Sequence, residues 1–191
     1  HTSWTLTNCS FTDGPYLDPN TTSTTMTPSA TSGNSITITA SSQSFVSGDV
    51  DRLIRFSNGF AKITAFASGT QVTAKVEDDF DNTNAVTDWK LGAFSTTTGF
   101  PRCVSFFEQR LVFAGTSTQP QTMFFSKSGD YENMTGGTND NDAMVYTIAS
   151  NQVNAIQAMK ATRTLIVMTT GGEYAVSSGA SQDAITPTNI N

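Results

Sequence analysis

Two unbroken apolar runs, Leu111-Val112-Phe113-Ala114 and Met123-Phe124-Phe125, constrain this chain more than any other feature. A half-solvated strand alternates apolar and polar side chains, because successive residues point to opposite faces of the sheet. These runs do not alternate. Short continuous apolar runs bounded by turn residues predict strands covered on both faces, so something must pack above and below this part of the chain. The surrounding sequence is polar. Thr and Ser together exceed a quarter of the 191 residues, and charged residues make up only 14%. Thr favours strands, and Ser and Thr serve turns, so composition and pattern agree on an all-β chain.

The length suits one large or two small domains. A fold of that size buries roughly 70% of its extended-chain surface, so no staple is required. Residues 1–34 carry few apolar side chains and many turn formers, among them Asp13-Gly14-Pro15, Asp18-Pro19-Asn20 and Ser32-Gly33-Asn34. They predict an extended, loop-rich segment anchored by Trp4, Leu6, Phe11 and Tyr16. Residues 35–88 predict a small antiparallel β-domain with one dry face. Ile36, Ile38 and Ala40 alternate with Ser35, Thr37 and Thr39, and Val72, Ala74 and Val76 alternate with polar neighbours. Between them, Ser57-Asn58-Gly59 signals a hairpin, because Asn-Gly accepts the positive φ of a type I′ turn. Ser68-Gly69 marks a second turn, and Asp78-Asp79-Phe80-Asp81-Asn82 reads as an exposed link.

Residues 89–191 differ in kind. Val104–Glu108, Leu111–Gly115 and Met123–Ser126 predict three tightly connected strands. A similar series recurs about fifty residues later at Asn154–Met159, Leu165–Thr169 and Glu173–Ser177. A weak repeat of this length with three or four strands per unit is the signature of propeller blades. The expectation is two β-propeller-like blades, an incomplete propeller. Stacked blades also explain the apolar runs, since each sheet is covered by its neighbours. A single β-sandwich with two similar hairpins is the plainer alternative. Gln152–Arg163 could instead form a short helix, which would weigh against the repeat.

Several function classes fall away. A net charge of -6 argues against sequence-independent nucleic-acid binding, which needs clustered Lys and Arg. No run approaches the apolar length of a membrane-spanning helix. The single histidine is His1, which leaves no Ser-His-Asp or Cys-His device and no zinc site of the usual composition. Cys9 and Cys103 stand far apart, with no metal-binding spacing; reduced burial is expected over a long-range disulfide. Carboxylate-pair hydrolysis would need two acids facing a cleft, and Asp130, Glu132, Asp140, Asp142 and Glu173 are the candidates. Most sit in a Gly- and Asn-rich loop that reads as solvated turn.

Asp78, Asp79 and Asp81, or Asp140 and Asp142, could offer oxygen ligands to calcium, but neither group has the Gly and distal Glu of an EF-hand loop. Trp4, Trp89, Tyr16 and Tyr131 could stack on sugars, although packing is the expected role of each. Gly171-Gly172 lacks the Lys and helix of a phosphate loop. Matches to the glycosylation sequon at Asn8, Asn20 and Asn133 are expected by chance in so Thr-rich a chain. No catalytic residue, metal or cofactor is therefore expected.

Many short motifs nonetheless keep a recognisable order: Trp89-Lys90-Leu91-Gly92-Ala93-Phe94-Ser95, Gly99-Phe100-Pro101-Arg102, Phe106-Phe107-Glu108-Gln109-Arg110-Leu111-Val112-Phe113-Ala114-Gly115-Thr116, Pro120-Gln121-Thr122 and Ser126-Lys127-Ser128-Gly129-Asp130-Tyr131-Glu132-Asn133. Asp140-Asn141-Asp142-Ala143, Ser150-Asn151-Gln152-Val153-Asn154 and Thr170-Gly171-Gly172-Glu173-Tyr174 continue it, and Trp4 and Asp13-Gly14-Pro15-Tyr16 precede it. In this order the chain resembles the tail nozzle family of short-tailed bacteriophages, also called tail tubular protein B. The resemblance covers nearly the whole chain and is most specific from Trp89 to Tyr174.

It implies a structural protein, not an enzyme, whose copies form a six-fold homo-oligomeric ring with a propeller domain beside a DNA channel. Implied partners are a tail adaptor (tail tubular protein A-like), tail fibres and phage DNA in transit without specific binding. The implied location is the virion tail, assembled in the host bacterial cytoplasm. Family members are several times longer, and this chain starts without Met and stops in a polar tail, so an internal fragment with an unclosed propeller is expected. The alternative function is a carbohydrate-binding or glycan-hydrolysing tail module.

Overall fold

The computed structural model describes residues 11–149, 152–178 and 184–190. Among them are thirteen strands and one 3-10 turn, Ser47–Asp49, with no α-helix. The chain is all-β. It divides into two compact units. One comprises Pro15–Pro101 with Thr116–Gln119; the other combines the described residues up to Gly14 with Arg102–Gly115 and those from Pro120 onward.

The first unit is built on a six-stranded sheet. Its strands are β1 (Met26–Pro28), β2 (Ile36–Ala40), β3 (Leu53–Phe56), β4 (Gly59–Ser68), β5 (Gln71–Asp78) and β6 (Trp89–Leu91), in the order β1-β2-β5-β4-β3-β6. All neighbours run antiparallel. The period-two pattern decides which face is dry. Ile36, Ile38, Ile54, Phe56, Ala61, Ile63, Val72 and Ala74 enter one buried cluster, while Thr37, Arg55, Lys62 and Lys75 lie on the other side. Phe45 and Phe80 from connecting loops join the same cluster.

The tight turn between β3 and β4 departs from expectation in detail. Phe56 pairs with Gly59, so the positive φ values fall on Ser57 (48°) and Asn58 (62°). Gly59 is the first strand residue. It is required because a Cβ there would lie 2.5 Å from the carbonyl oxygens of Asp78 and Asp79. Those same residues open the segment expected to be an exposed link. Asp79 and Asp81 are exposed, but Phe80 between them is 3% exposed and stacks on Phe56 with ring centroids 4.3 Å apart.

Two further differences concern the ends of this unit. The segment read as loop contributes β1, whose Met26 is fully buried; it pairs with Ala40 in register. Trp89, expected to open the propeller-like part, lies in β6 and pairs with Phe56. Its indole N–H donates to Thr24 O at 2.9 Å, and its ring packs against the first core. A three-residue strand carries too little alternation to announce the sheet to which it belongs. Cys9, Trp4 and Leu6 lie outside the described residues.

The second unit contains two sheets. β7 (Cys103–Phe107), β8 (Arg110–Ala114), β9 (Thr122–Phe125) and β10 (Met144–Thr147) form a four-stranded antiparallel meander. β11 (Ile156–Ala161), β12 (Leu165–Thr169) and β13 (Glu173–Val176) form a three-stranded one. Six of these strands coincide with the predicted repeat; β10 was not anticipated. The helical option for Gln152–Arg163 is replaced by β11, since Val153, Ile156 and Met159 never make a continuous helical stripe.

Side chains of both sheets meet in one core, with Val112, Ala114, Met123 and Phe125 on one side and Ile156, Leu165, Val167 and Val176 on the other. β9 is buried along its whole length. β8 alternates instead: Val112 and Ala114 are buried, while Leu111 and Phe113 are half-buried. The second face of this sheet carries the cross-strand row Val104, Phe113, Phe124 and Val145. Phe11 covers part of it, meeting the Phe113 ring edge-on at 5.8 Å. At the margins, Val104 (59%), Phe106 (60%) and Val145 (52%) remain exposed.

Candidate functional site

The carboxylates singled out by sequence do not converge. Asp130 and Glu132 are exposed in the turn after β9, and Glu173 is exposed at the start of β13 in the other sheet. Asp142 is buried and committed to its own loop: Oδ2 accepts the Asn139 N–H at 3.0 Å and Oδ1 lies 3.4 Å from Lys127 Nζ. The Asn139 hydrogen bond, reinforced by Lys127, holds its carboxyl below the usual carboxylate range. Asp140 contributes a backbone oxygen, not a carboxylate, to the best-defined polar cluster of this unit.

That cluster is centred on Arg110, which sequence reasoning did not single out. The side chain is 2% exposed. Nη1 donates to Ser126 O and Asp142 O, both at 2.7 Å, and Nη2 donates to Asp140 O at 2.6 Å. Ser126 Oγ in turn accepts the Leu111 N–H at 2.9 Å. Burial lowers the Arg110 pKa, an effect opposed by Glu108 and Asp142. A charge placed here must be hydrogen-bonded to be tolerated. The carbonyls meet that need and are themselves satisfied, so Arg110 fastens the loop that leads into β10. Arg110 opens β8 directly after the Glu108-Gln109 turn. Glu108 and Gln109 both take positive φ, at 46° and 59°, which delivers Arg110 opposite Phe107.

A polar crevice of about 520 Å³ opens beside it, lined by Glu108, Arg110, Asp140 and the segment Ala184–Asn189. Glu108 Oε2 accepts the Ile185 N–H at 2.6 Å. Glu108 and Arg110 at this crevice therefore spend their charged groups on holding backbone. The first unit has a comparable internal tie: Arg52 donates to Asp49 Oδ1 at 2.7 Å and to Gly92 O at 2.6 Å.

Among the described residues no three His, Cys, Asp or Glu side chains gather as metal ligands. Asp81 of the first acidic run accepts from Asn58 Nδ2 at 2.6 Å. Asn20, within a sequon, donates to Thr22 O, Thr24 O and Thr87 O and accepts from Thr22, which makes it a loop organiser. Gly171 and Gly172 lie in the exposed turn between β12 and β13. Of the aromatics, Tyr16 is half-buried and bridges to Gly92. Tyr131 is 43% exposed and meets the exposed Phe106 ring edge-on at 5.1 Å. Cys103 is a buried free thiol whose pKa burial raises.

Compared with protein-family models and with curated proteins, the chain matches no family model and no curated sequence. Among the described residues, no helix is long and apolar enough to cross a membrane.

Proposed function

We propose that this chain is a structural component of a bacteriophage tail, a nozzle or tail tubular protein forming part of the DNA-ejection conduit. The observation that carries the reading is the arrangement of the second unit. A four-stranded up-and-down sheet is followed by a second meander, and their first strands, β7 and β11, lie side by side without sharing a hydrogen-bond ladder. Propeller sheets stand radially around a central channel, so the strands nearest the axis approach each other most closely. β7 and β11 fit that position in two adjacent blades, and Arg102 Nη1 ties them at the end by donating to Gln157 Oε1 at 3.0 Å.

The motif order from Trp89 to Tyr174 supplies the family, and the acidic net charge of -6 suits a passage through which DNA slips without sticking. A six-fold ring, contacts with a tail adaptor and tail fibres, and a place in the virion tail follow from that family reading. Cryo-electron microscopy of virions containing the full-length protein tests it. Density for Arg102–Val176 as two neighbouring blades beside the channel is the expected result; its absence from the tail overturns the proposal.

A glycan-binding tail module is the second reading, favoured by the exposed Phe106 and Tyr131 rings. Sugar faces stack on such rings. Retention of host polysaccharide by the chain, lost in Tyr131→Ala, supports this reading; release of reducing sugar would extend it to hydrolysis.

A further inference from the structure

The distal half of β4 presents an unusual edge. β3 pairs with β4 only from Gly59 to Lys62, and the Ile63 N–H still reaches Arg52 O at 2.9 Å. Beyond that point β4 continues for five residues, Thr64 to Ser68, all exposed and paired only with β5 on the other side. No ionisable residue occurs between Lys62 and Lys75. Exposed edges are normally blunted with Lys, Pro or inward charges, and this one has none of them. The 3-10 turn Ser47–Asp49 packs against β4, and the valines flanking it, Val46 (48%) and Val50 (37%), are exposed, as is Phe66 (37%).

The sequence of this edge reads nearly the same in both directions: Thr64-Ala65-Phe66-Ala67-Ser68. A two-fold contact brings the same patch of two copies together, so it must be self-complementary. We propose that this edge pairs antiparallel with the same edge of a second copy of the chain, about a two-fold axis at Phe66. Thr64 then opposes Ser68, Ala65 opposes Ala67, and Phe66 opposes Phe66. Thr–Ser and aromatic pairs are favourable across strands, and no like charges meet. Strand addition at a free edge gives affinity through main-chain hydrogen bonds. The contact is isologous and closes at two copies, so it is distinct from the head-to-tail contacts of a ring and independent of the function proposed above.

Five edge residues and two valines form a small interface, which places the dimer at the weak, reversible end of the range. β4 also carries register shifts at Ile63/Ala65 and Phe66/Ser68, and such bulges can keep edges apart.

Sedimentation across a concentration series, with folding of each variant checked by circular dichroism, provides the test. Wild type is expected to form a reversible dimer. Phe66→Lys and Phe66→Glu should each raise the dissociation constant by at least about tenfold, since like charges directly opposed destabilise a pair. An equimolar mixture of the two should restore dimerisation. In a Cys9→Ser background, Phe66→Cys should cross-link to itself on mild oxidation, because opposed Cβ atoms approach disulfide reach. Ala65→Cys should cross-link only with Ala67→Cys. A wild-type chain that stays monomeric throughout the series would show that the bulges suffice and overturn the proposal. So would a dimer indifferent to Phe66→Lys, or Ala65→Cys cross-linking to itself as readily as Phe66→Cys.

Discussion

Arg110 illustrates how much one side chain can organise when its charge is spent on backbone. Its guanidinium satisfies the carbonyls of Ser126, Asp140 and Asp142. Arg110→Met preserves much of the apolar stem but leaves buried acceptors unpaired, each at a cost of about 1 to 3 kcal/mol. We expect a loss of about 3 kcal/mol in urea unfolding, with near-native circular dichroism at zero denaturant. Asp142 beside it should impose an acid dependence. Its folded pKa is lowered by the Asn139 N–H and Lys127, so its contribution is complete above the unfolded value of about 3.9. That contribution is lost as pH falls through the lower folded value. Thermal melts between pH 6 and pH 2 should therefore fall less steeply for Asp142→Asn than for wild type; parallel curves would remove Asp142 from the account.

At the scale of elements, apolar runs and alternation carried most of the information. β9 is dry on both faces: Met123 and Phe125 enter the shared core, and Phe124 on the opposite face is fully buried as well. β8 carries an equally apolar run yet alternates in burial, because the outer face is covered only in part, by Phe11. In sequence Phe106, Phe113 and Phe124 look alike, each an aromatic on a predicted strand. The structure separates them: Phe124 is fully buried, Phe113 half-buried and Phe106 60% exposed. Phe124→Ala should cost about 3 to 5 kcal/mol, whereas Phe106→Ala in the isolated chain should stay within about 0.5 kcal/mol. Equal shifts in chemical denaturation would contradict this assignment.

Hairpins at Ser57-Asn58 and around β7 to β9 were legible because their flanking patterns are long. β1 and β6 were not, since three residues cannot display a period, and β10 (Met144–Thr147) follows a Gly- and Asn-rich loop and lies outside the predicted repeat. The polar latch on Arg110 was invisible for another reason: its acceptors are main-chain oxygens spread over Ser126 to Asp142, and backbone atoms leave no mark in a sequence.

For the molecule as a whole, charge sets the clearest expectation. Ten basic residues face sixteen acidic ones, and several lysines are engaged in pairs such as Lys62 with Asp51 and Lys75 with Glu77, both at 2.9 Å. Non-specific DNA binders reach dissociation constants of roughly 10⁻⁴ to 10⁻⁶ M at physiological salt by releasing counterions. This chain should show no binding to duplex DNA in that range by fluorescence anisotropy, and no steep salt dependence. Measurable, salt-sensitive affinity would contradict the picture of a non-adhesive wall.

The way the chain is shared between its two units also sets a timetable. The first unit contains no residue beyond Gln119, so all of its chain is made while the rest is still being synthesised, and domains generally fold as units in that order. Asp13 leaves the ribosome before all of it, yet its partners are the backbone at Asn133 and Met134 and the hydroxyl of Thr135. A segment made ahead of the first unit must therefore wait through some 120 further residues, about 6 to 24 seconds at ordinary elongation rates of about 5 to 20 residues per second, before its place in the second unit exists.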